Sequence, residues 1–225
     1  MGGLQSPGFR RTLSRMRLLW RTTIFLLAFV SFACLLGTFY GFWQMRTFAC
    51  LVYLPALAVL GVIAWKKRGE LPAHWIVQGA LGGLVAAVAY DLFRLPFVLQ
   101  GAPLFQVFPR FGELLLGNTE PRWLVHLLGW SYHFSNGAAL GIMFLALVMR
   151  PTGRALFWSA VAWAMFIEVM LLLTPYTTFF GLPLNQRFVV LTLSAHLVFG
   201  VTLGFWLRWR RQFFVTIPAR EGQLV

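Results

Sequence analysis

Residues 75–98 read WIVQGALGGLVAAVAYDLFRLPFV. A bilayer-crossing helix needs about 20 mostly apolar residues, and this run supplies them with only Asp91 and Arg94 ionisable, both near its C-terminal end. Gly79, Gly83, Ala87 and Asp91 recur every fourth position. Spacing by four keeps residues on nearly one helix face, so the segment carries a stripe of small residues that ends in a carboxylate. Small residues let helix backbones approach closely inside a membrane. Ionisable groups at that depth face a partner, a cavity or a ligand.

Three further segments repeat the pattern. The stripe reads His133, Gly137, Gly141, then Ala160, Ala164, Glu168, and then His196, Gly200, Gly204. The first and third of the four stripes end in an acid. The second and fourth begin HFSNGAALG at 133–141 and HLVFGVTLG at 196–204. The pairs of segments therefore read as two copies of one hairpin in the same orientation, a parallel repeat about an axis along the membrane normal.

The rest of the chain fits a membrane domain. Of its 225 residues 59% are hydrophobic and 11% charged, which is outside the usual soluble range. Six runs are long enough to cross a bilayer, at roughly 20–43, 48–65, 75–98, 123–149, 155–174 and 188–207. The expected fold is an all-α integral membrane protein of six transmembrane helices. Its parts are a basic tail at 1–18, the membrane domain at 19–211 and a short tail at 212–225. The first apolar run is too long for a cleaved signal peptide and reads as a retained first span. The first two helices read as peripheral support for the other four.

A net charge of +13 raises the question of nucleic acid, but the placement of the charges answers it. Fourteen Lys and Arg flank the spans on one side and four on the other, with Arg94 inside a span. That asymmetry is the positive-inside signal. It places both termini in the cytoplasm of a multi-pass protein of the plasma (inner) membrane, with no nucleic-acid partner. The expected partners are the bilayer itself and the anionic lipid head groups beside the basic ends. Cys34 and Cys50 stand in no metal-ligand or CxxC spacing and are expected to be packing residues without a disulfide.

Helix rise of about 1.5 Å per residue puts Asp91, His133, Glu168 and His196 at one depth, roughly 10–15 Å below the outer surface. His126 lies one heptad before His133, and Asn136 close to the face of His133. Imidazole nitrogen and carboxylate oxygen are standard ligands of zinc and iron. The leading expectation is therefore a transition-metal site with hydrolytic or redox chemistry. Asp91, His133, Glu168 and His196 would be its ligands, Asn136 and His126 outer partners, and Arg94 a stabiliser of negative charge at the mouth. The support is compositional, since no HExxH, HxxxH or ExxH run occurs. One alternative is haem b with His133 and His196 as axial ligands. Another is a scaffold subunit of a larger membrane complex, locked by acid–imidazole pairs.

A through-going proton relay is disfavoured, because no ionisable group continues inward from His133 along the last four spans. Catalytic signatures such as GxSxG or a Walker loop are absent. Ser131 and Ser194 precede the two histidines by two residues and so lie on other faces. Pro55 is expected to kink the second helix. The outer segments at 103–117 and 175–187, rich in aromatics and proline, are expected to form interfacial belts, with a lid over an outward-facing cavity as the alternative.

Overall fold

The computed structural model describes residues 7–117, 121–148 and 153–210, with only the backbone path for 7–14. Arg150, Arg211, Arg220 and the tail at 212–225 lie outside the described residues. Every regular element among the described residues is helical. In chain order these are α1 (Pro7–Phe39), α2 (Met45–Phe48), a π-helical turn at Ala49–Tyr53, α3 (Leu54–Lys66) and α4 (Leu71–Leu99). A 3₁₀ turn at Pro103–Phe105 follows, then α5 (Val107–Leu116), α6 (Arg122–Leu147), α7 (Gly153–Leu172), α8 (Tyr176–Phe179) and α9 (Gln186–Trp209).

Five stretches are long and apolar enough to cross a membrane, namely Arg15–Phe39, Met45–Lys66, Leu71–Leu99, Gly153–Leu172 and Gln186–Trp209. Their outer faces leave large side chains such as Leu51, Leu99, Trp158 and Leu173 bare. Apolar surface of that extent marks a membrane location. α6 is long enough, at 26 residues, but carries Arg122, His126, Ser131, His133, Ser135 and Asn136 and falls short in apolarity. It is the centre of the bundle, packed by α4, α5 and α1.

The glycine stripes set the two tightest packings. A Cβ at Gly79 would lie 2.6 Å from Ile142 Cα, and one at Gly137 would lie 2.7 Å from Ala87 Cβ. On the other pair, a Cβ at Gly200 would lie 2.7 Å from Val161 Cα. Those distances leave no room for a side chain, so α4 meets α6, and α7 meets α9, backbone to backbone. α4 and α9 join the two pairs.

Three expectations need correcting. α1 begins at Pro7, so the helix reaches back through residues 7–18, which were read as a tail. α1 is also not peripheral. It packs along α6, where Tyr132 Oη donates to Ser31 O at 3.0 Å and Arg21 Nε donates to Ala146 O at 2.8 Å. Only the α2–α3 span stays at the edge.

The third correction concerns α5, which is not a belt at the surface. Val107, Phe108, Phe111 and Gly112 are buried against α6. A Cβ at Gly112 would lie 2.6 Å from Val125 C, and one at Gly129 would lie 2.7 Å from Phe108 C. Glycine on both partners lets this short helix press onto α6 as a cover. Pro55 acts as expected in kind: without an N–H it cannot close the i−4 bond, and its ring crowds the carbonyl of residue 51. The turn before it widens into the π form.

Two apolar clusters fill the bundle. One holds Ile24, Leu60, Met143, Leu156 and Leu203 towards the basic end. The other holds Leu35, Phe39, Phe108, Phe111 and Phe188 under the cover. The ionisable residues sit where the two meet.

Candidate functional site: two acid–imidazole pairs under a cover

Each hairpin brings its own acid to its own histidine. On the first, His133 Nε2 lies 2.8 Å from Asp91 Oδ2. On the second, His196 Nδ1 lies 3.1 Å from Glu168 Oε2 and 3.0 Å from Thr192 O. The pairing is therefore as the stripes imply, acid on the outgoing helix and imidazole on the returning one. The reach differs by hairpin. The longer glutamate meets the near nitrogen of its histidine, and the shorter aspartate meets the far one.

These contacts fix the two rings in opposite senses. His196 donates from Nδ1 to the carboxylate and to the Thr192 carbonyl, so Nε2 is left as an acceptor. His133 donates from Nε2 to Asp91, so Nδ1 is left as an acceptor. Among the described residues neither remaining nitrogen makes a hydrogen bond to the protein. Both rings border one cavity of about 100 Å³, together with Tyr90, Arg94, Asn136 and Tyr176. The Tyr90 ring touches both imidazoles, at 6.2 Å from His133 and 4.9 Å from His196.

Arg94 holds the cover in place. Its guanidinium lies 3.5 Å from Asp91 Oδ1, donates to Leu104 O, and sits over the rings of Tyr90 at 4.7 Å, Phe105 at 5.2 Å and Phe108 at 5.7 Å. A buried guanidinium among aromatic faces, with a carboxylate beside it, is a stable placement. It ties α4 to the 3₁₀ turn and to α5. Phe108 then lies on His133, ring centroids 4.3 Å apart. Arg94 thus fastens α5 and balances the negative charge of Asp91 at the cavity wall.

The four expected metal ligands do not gather round one point. Among the described residues no three His, Cys, Asp or Glu side chains stand close enough to hold an ion. Each carboxylate is spent on an imidazole of its own pair, so zinc or iron would find two separate pairs in place of a ligand set. The cavity, at about 100 Å³, is well below the roughly 300 Å³ at which small-molecule pockets begin, and the ring of Tyr90 lies against both would-be axial ligands.

His126 is exposed and lies outside the cavity lining, because the neighbouring Val125–Gly129 face is taken by α5. Asn136 does border the cavity, and its Oδ1 accepts from Ser31 Oγ on α1. Ser131 is exposed and donates to Leu127 O at 2.7 Å, which leaves it out of the site as expected. Cys34 is buried, Cys50 is exposed, and both are free thiols. Tyr90, Tyr176, Ser31 and Phe108 went unread in the sequence. Tyr90 lies within α4 and directly precedes Asp91, so only its position beside an in-facing acid could have signalled it.

No family model, curated protein or solved structure matches this chain.

The wall of the cavity has a seam. Among the described residues α7 packs along α9 and meets α1 and α6 only sparsely. Phe32 and Leu35 of α1 and Leu140 of α6 face Ile167 and Leu171 of α7 across it. Towards the basic end Trp163 Nε1 donates to Leu140 O at 3.2 Å and closes the seam. The cavity is lined mainly by apolar side chains, and those of α1, α6 and α7 make its apolar side, the slit between α7 and α1–α6.

Proposed function

We propose that this chain crosses the membrane six times, α6 included, with both termini in the cytoplasm. Two fused copies of one acid–imidazole hairpin would then form a binding pocket in its outer half. The pocket takes the polar head of a membrane-soluble molecule whose apolar tail lies in the slit between α7 and α1–α6. One observation carries this reading: two imidazoles, each paired with its own carboxylate, line the same cavity, and a neutral imidazole that donates to its acid keeps its other nitrogen as an acceptor. Acceptors at those two points suit a head that donates hydrogen bonds, such as a hydroxyl or an amine. Two carboxylates against one guanidinium make an anionic head unfavourable in a site this dry.

Carboxylate-oriented imidazole is also the arrangement of a general base, because the acid fixes the tautomer and stabilises the imidazolium that forms. The pocket is thus competent to accept a proton from a bound hydroxyl. Phe108 and the rest of α5 close it from the outer side, which directs entry to the slit. The chemistry of the site is therefore binding first, with proton acceptance available to it.

The test is purification in mild detergent, organic extraction and mass spectrometry of wild type beside Ile167→Trp, whose indole fills the slit. The reading expects an amphiphile bearing a hydroxyl or amine, near one per wild-type chain and lost from the variant. Identical extracts from the two proteins would remove its support.

A further inference from the structure

A second cavity lies at the opposite, basic end of the molecule, and nothing in the acid–imidazole pocket accounts for it. It is a groove of about 380 Å³ between α3 and α4. α3 contributes Gly61, Ala64 and Trp65, the turn contributes Arg68, Gly69 and Glu70, and α4 contributes His74 and Gln78 among others. α3 and α4 are joined by a tight turn yet pack only lightly. From Gly61 to Arg68 the groove runs about 10 Å along the helix axis at 1.5 Å per residue.

Its character changes along that length. The end away from the basic turn carries Gly61 and Ala64, with Val77 beside them. A Cβ added at Gly61 would meet nothing within 4 Å, so this end is open towards the surroundings of the helices. The other end carries Arg68, with its guanidinium 6.0 Å over the Trp65 ring. Lys66 and Lys67 precede it. Lys67 is engaged by Glu70 at 3.3 Å and by the Trp20 ring at 5.7 Å, which neutralises the one acid of the groove and leaves Arg68 as its cation. Gln78 Oε1 is buried in the groove wall with no hydrogen-bond donor among the described residues.

We infer that this groove is a binding site for a single anionic phospholipid. Its phosphate would sit at Arg68 beside Trp65, a hydroxyl of its head or glycerol would donate to Gln78 Oε1, and an acyl chain would lie over Gly61. The graded polarity matches a lipid in place, with an interfacial Trp at head-group depth. The charge is complementary as well, since a basic run next to a membrane attracts anionic lipid. Gly61 supplies the depth for the chain. The site is independent of the acid–imidazole pocket.

The experiment is native mass spectrometry of the full-length protein in detergent, titrated with dioctanoyl phosphatidylglycerol. Dioctanoyl phosphatidylcholine and glycerol 3-phosphate serve as comparisons. Wild type is expected to hold one phosphatidylglycerol in preference to phosphatidylcholine, and glycerol 3-phosphate is expected not to compete. Arg68→Gln should weaken that binding about fivefold, the factor equivalent to about 1 kcal/mol per basic residue at a membrane surface. Gly61→Phe, which fills open space and meets no backbone, should abolish it while leaving the melting temperature of the lipid-free protein unchanged. Unaltered binding in Gly61→Phe would overturn the inference. So would equal affinity for the two lipids, or full competition by glycerol 3-phosphate. If Gly61→Phe instead converts a dimer to a monomer, the groove is a contact between copies and the inference is wrong.

Discussion

The Glu168–His196 pair gives the sharpest test of how the site is built, because its two members are unequally dispensable. Glu168 is 2% exposed and His196 Nδ1 is shared between its carboxylate and the Thr192 carbonyl. In Glu168→Gln the imidazole keeps Thr192 O, and the amide oxygen still accepts. The loss is one charge-assisted hydrogen bond exchanged for a neutral one, about 1 kcal/mol. In His196→Phe the carboxylate is left buried without its partner, a change that typically costs about 3–5 kcal/mol. The double variant Glu168→Leu/His196→Phe removes both polar groups and should lie close to wild type, since a buried pair is often replaceable by apolar residues of similar volume. For a chain of this size each kcal/mol moves the melting temperature by about 2–4 °C. Thermal unfolding in detergent, followed by tryptophan fluorescence, should therefore drop about 2–4 °C for Glu168→Gln and at least about 6 °C for His196→Phe, with the double variant recovering most of that. Equal losses in both single variants with no recovery in the double would refute the pairing as drawn.

The other perturbations are simpler. Gly83→Ala should destabilise by about 1–3 kcal/mol through overpacking, because its Cβ would fall on the Gly137 backbone with Gly137 C at 2.9 Å, whereas Gly61→Ala should stabilise slightly through helix propensity; paired melting curves compare them. Phe108→Ala should cost about 3–5 kcal/mol and open the cover over His133, so diethyl pyrocarbonate should modify His133 in the variant and spare it in wild type, as read by peptide mass spectrometry. A bulky maleimide should label one thiol per folded chain, at Cys50, with Cys34 reacting only after unfolding, because Cys50 is exposed and Cys34 is not.

Much of this architecture is legible in the chain because membrane helices advertise themselves by length and apolarity. The stripes at Gly79–Asp91 and His196–Gly204 named both the packing faces and the residues at their ends, and the acids and histidines do meet two by two. The sequence did not reveal whether four converging groups would share one centre or divide into pairs. That depends on side-chain reach, with Asp91 meeting Nε2 and Glu168 meeting Nδ1. α5 was misread for a different reason. Pro109, Arg110 and Glu113 give it the look of an interfacial segment, and only the two glycines, Gly112 and Gly129, 17 positions apart in the chain, betray how closely it lies on α6. The role of α1 was hidden because Ser31, Phe32 and Leu35 read as unremarkable members of an apolar run.

The account rests on two imidazoles facing one ligand. Nitrogen-15 NMR of histidine-labelled protein in detergent measures this most directly, titrated in turn with decanol, decylamine and decanoate. The account predicts Nε2-protonated His133 and Nδ1-protonated His196. It also predicts that both signals shift together and saturably with decanol or decylamine, while decanoate leaves them, and every probe leaves His126, in place. Two histidines of the same tautomer, or no saturable shift with either donor head, would contradict it.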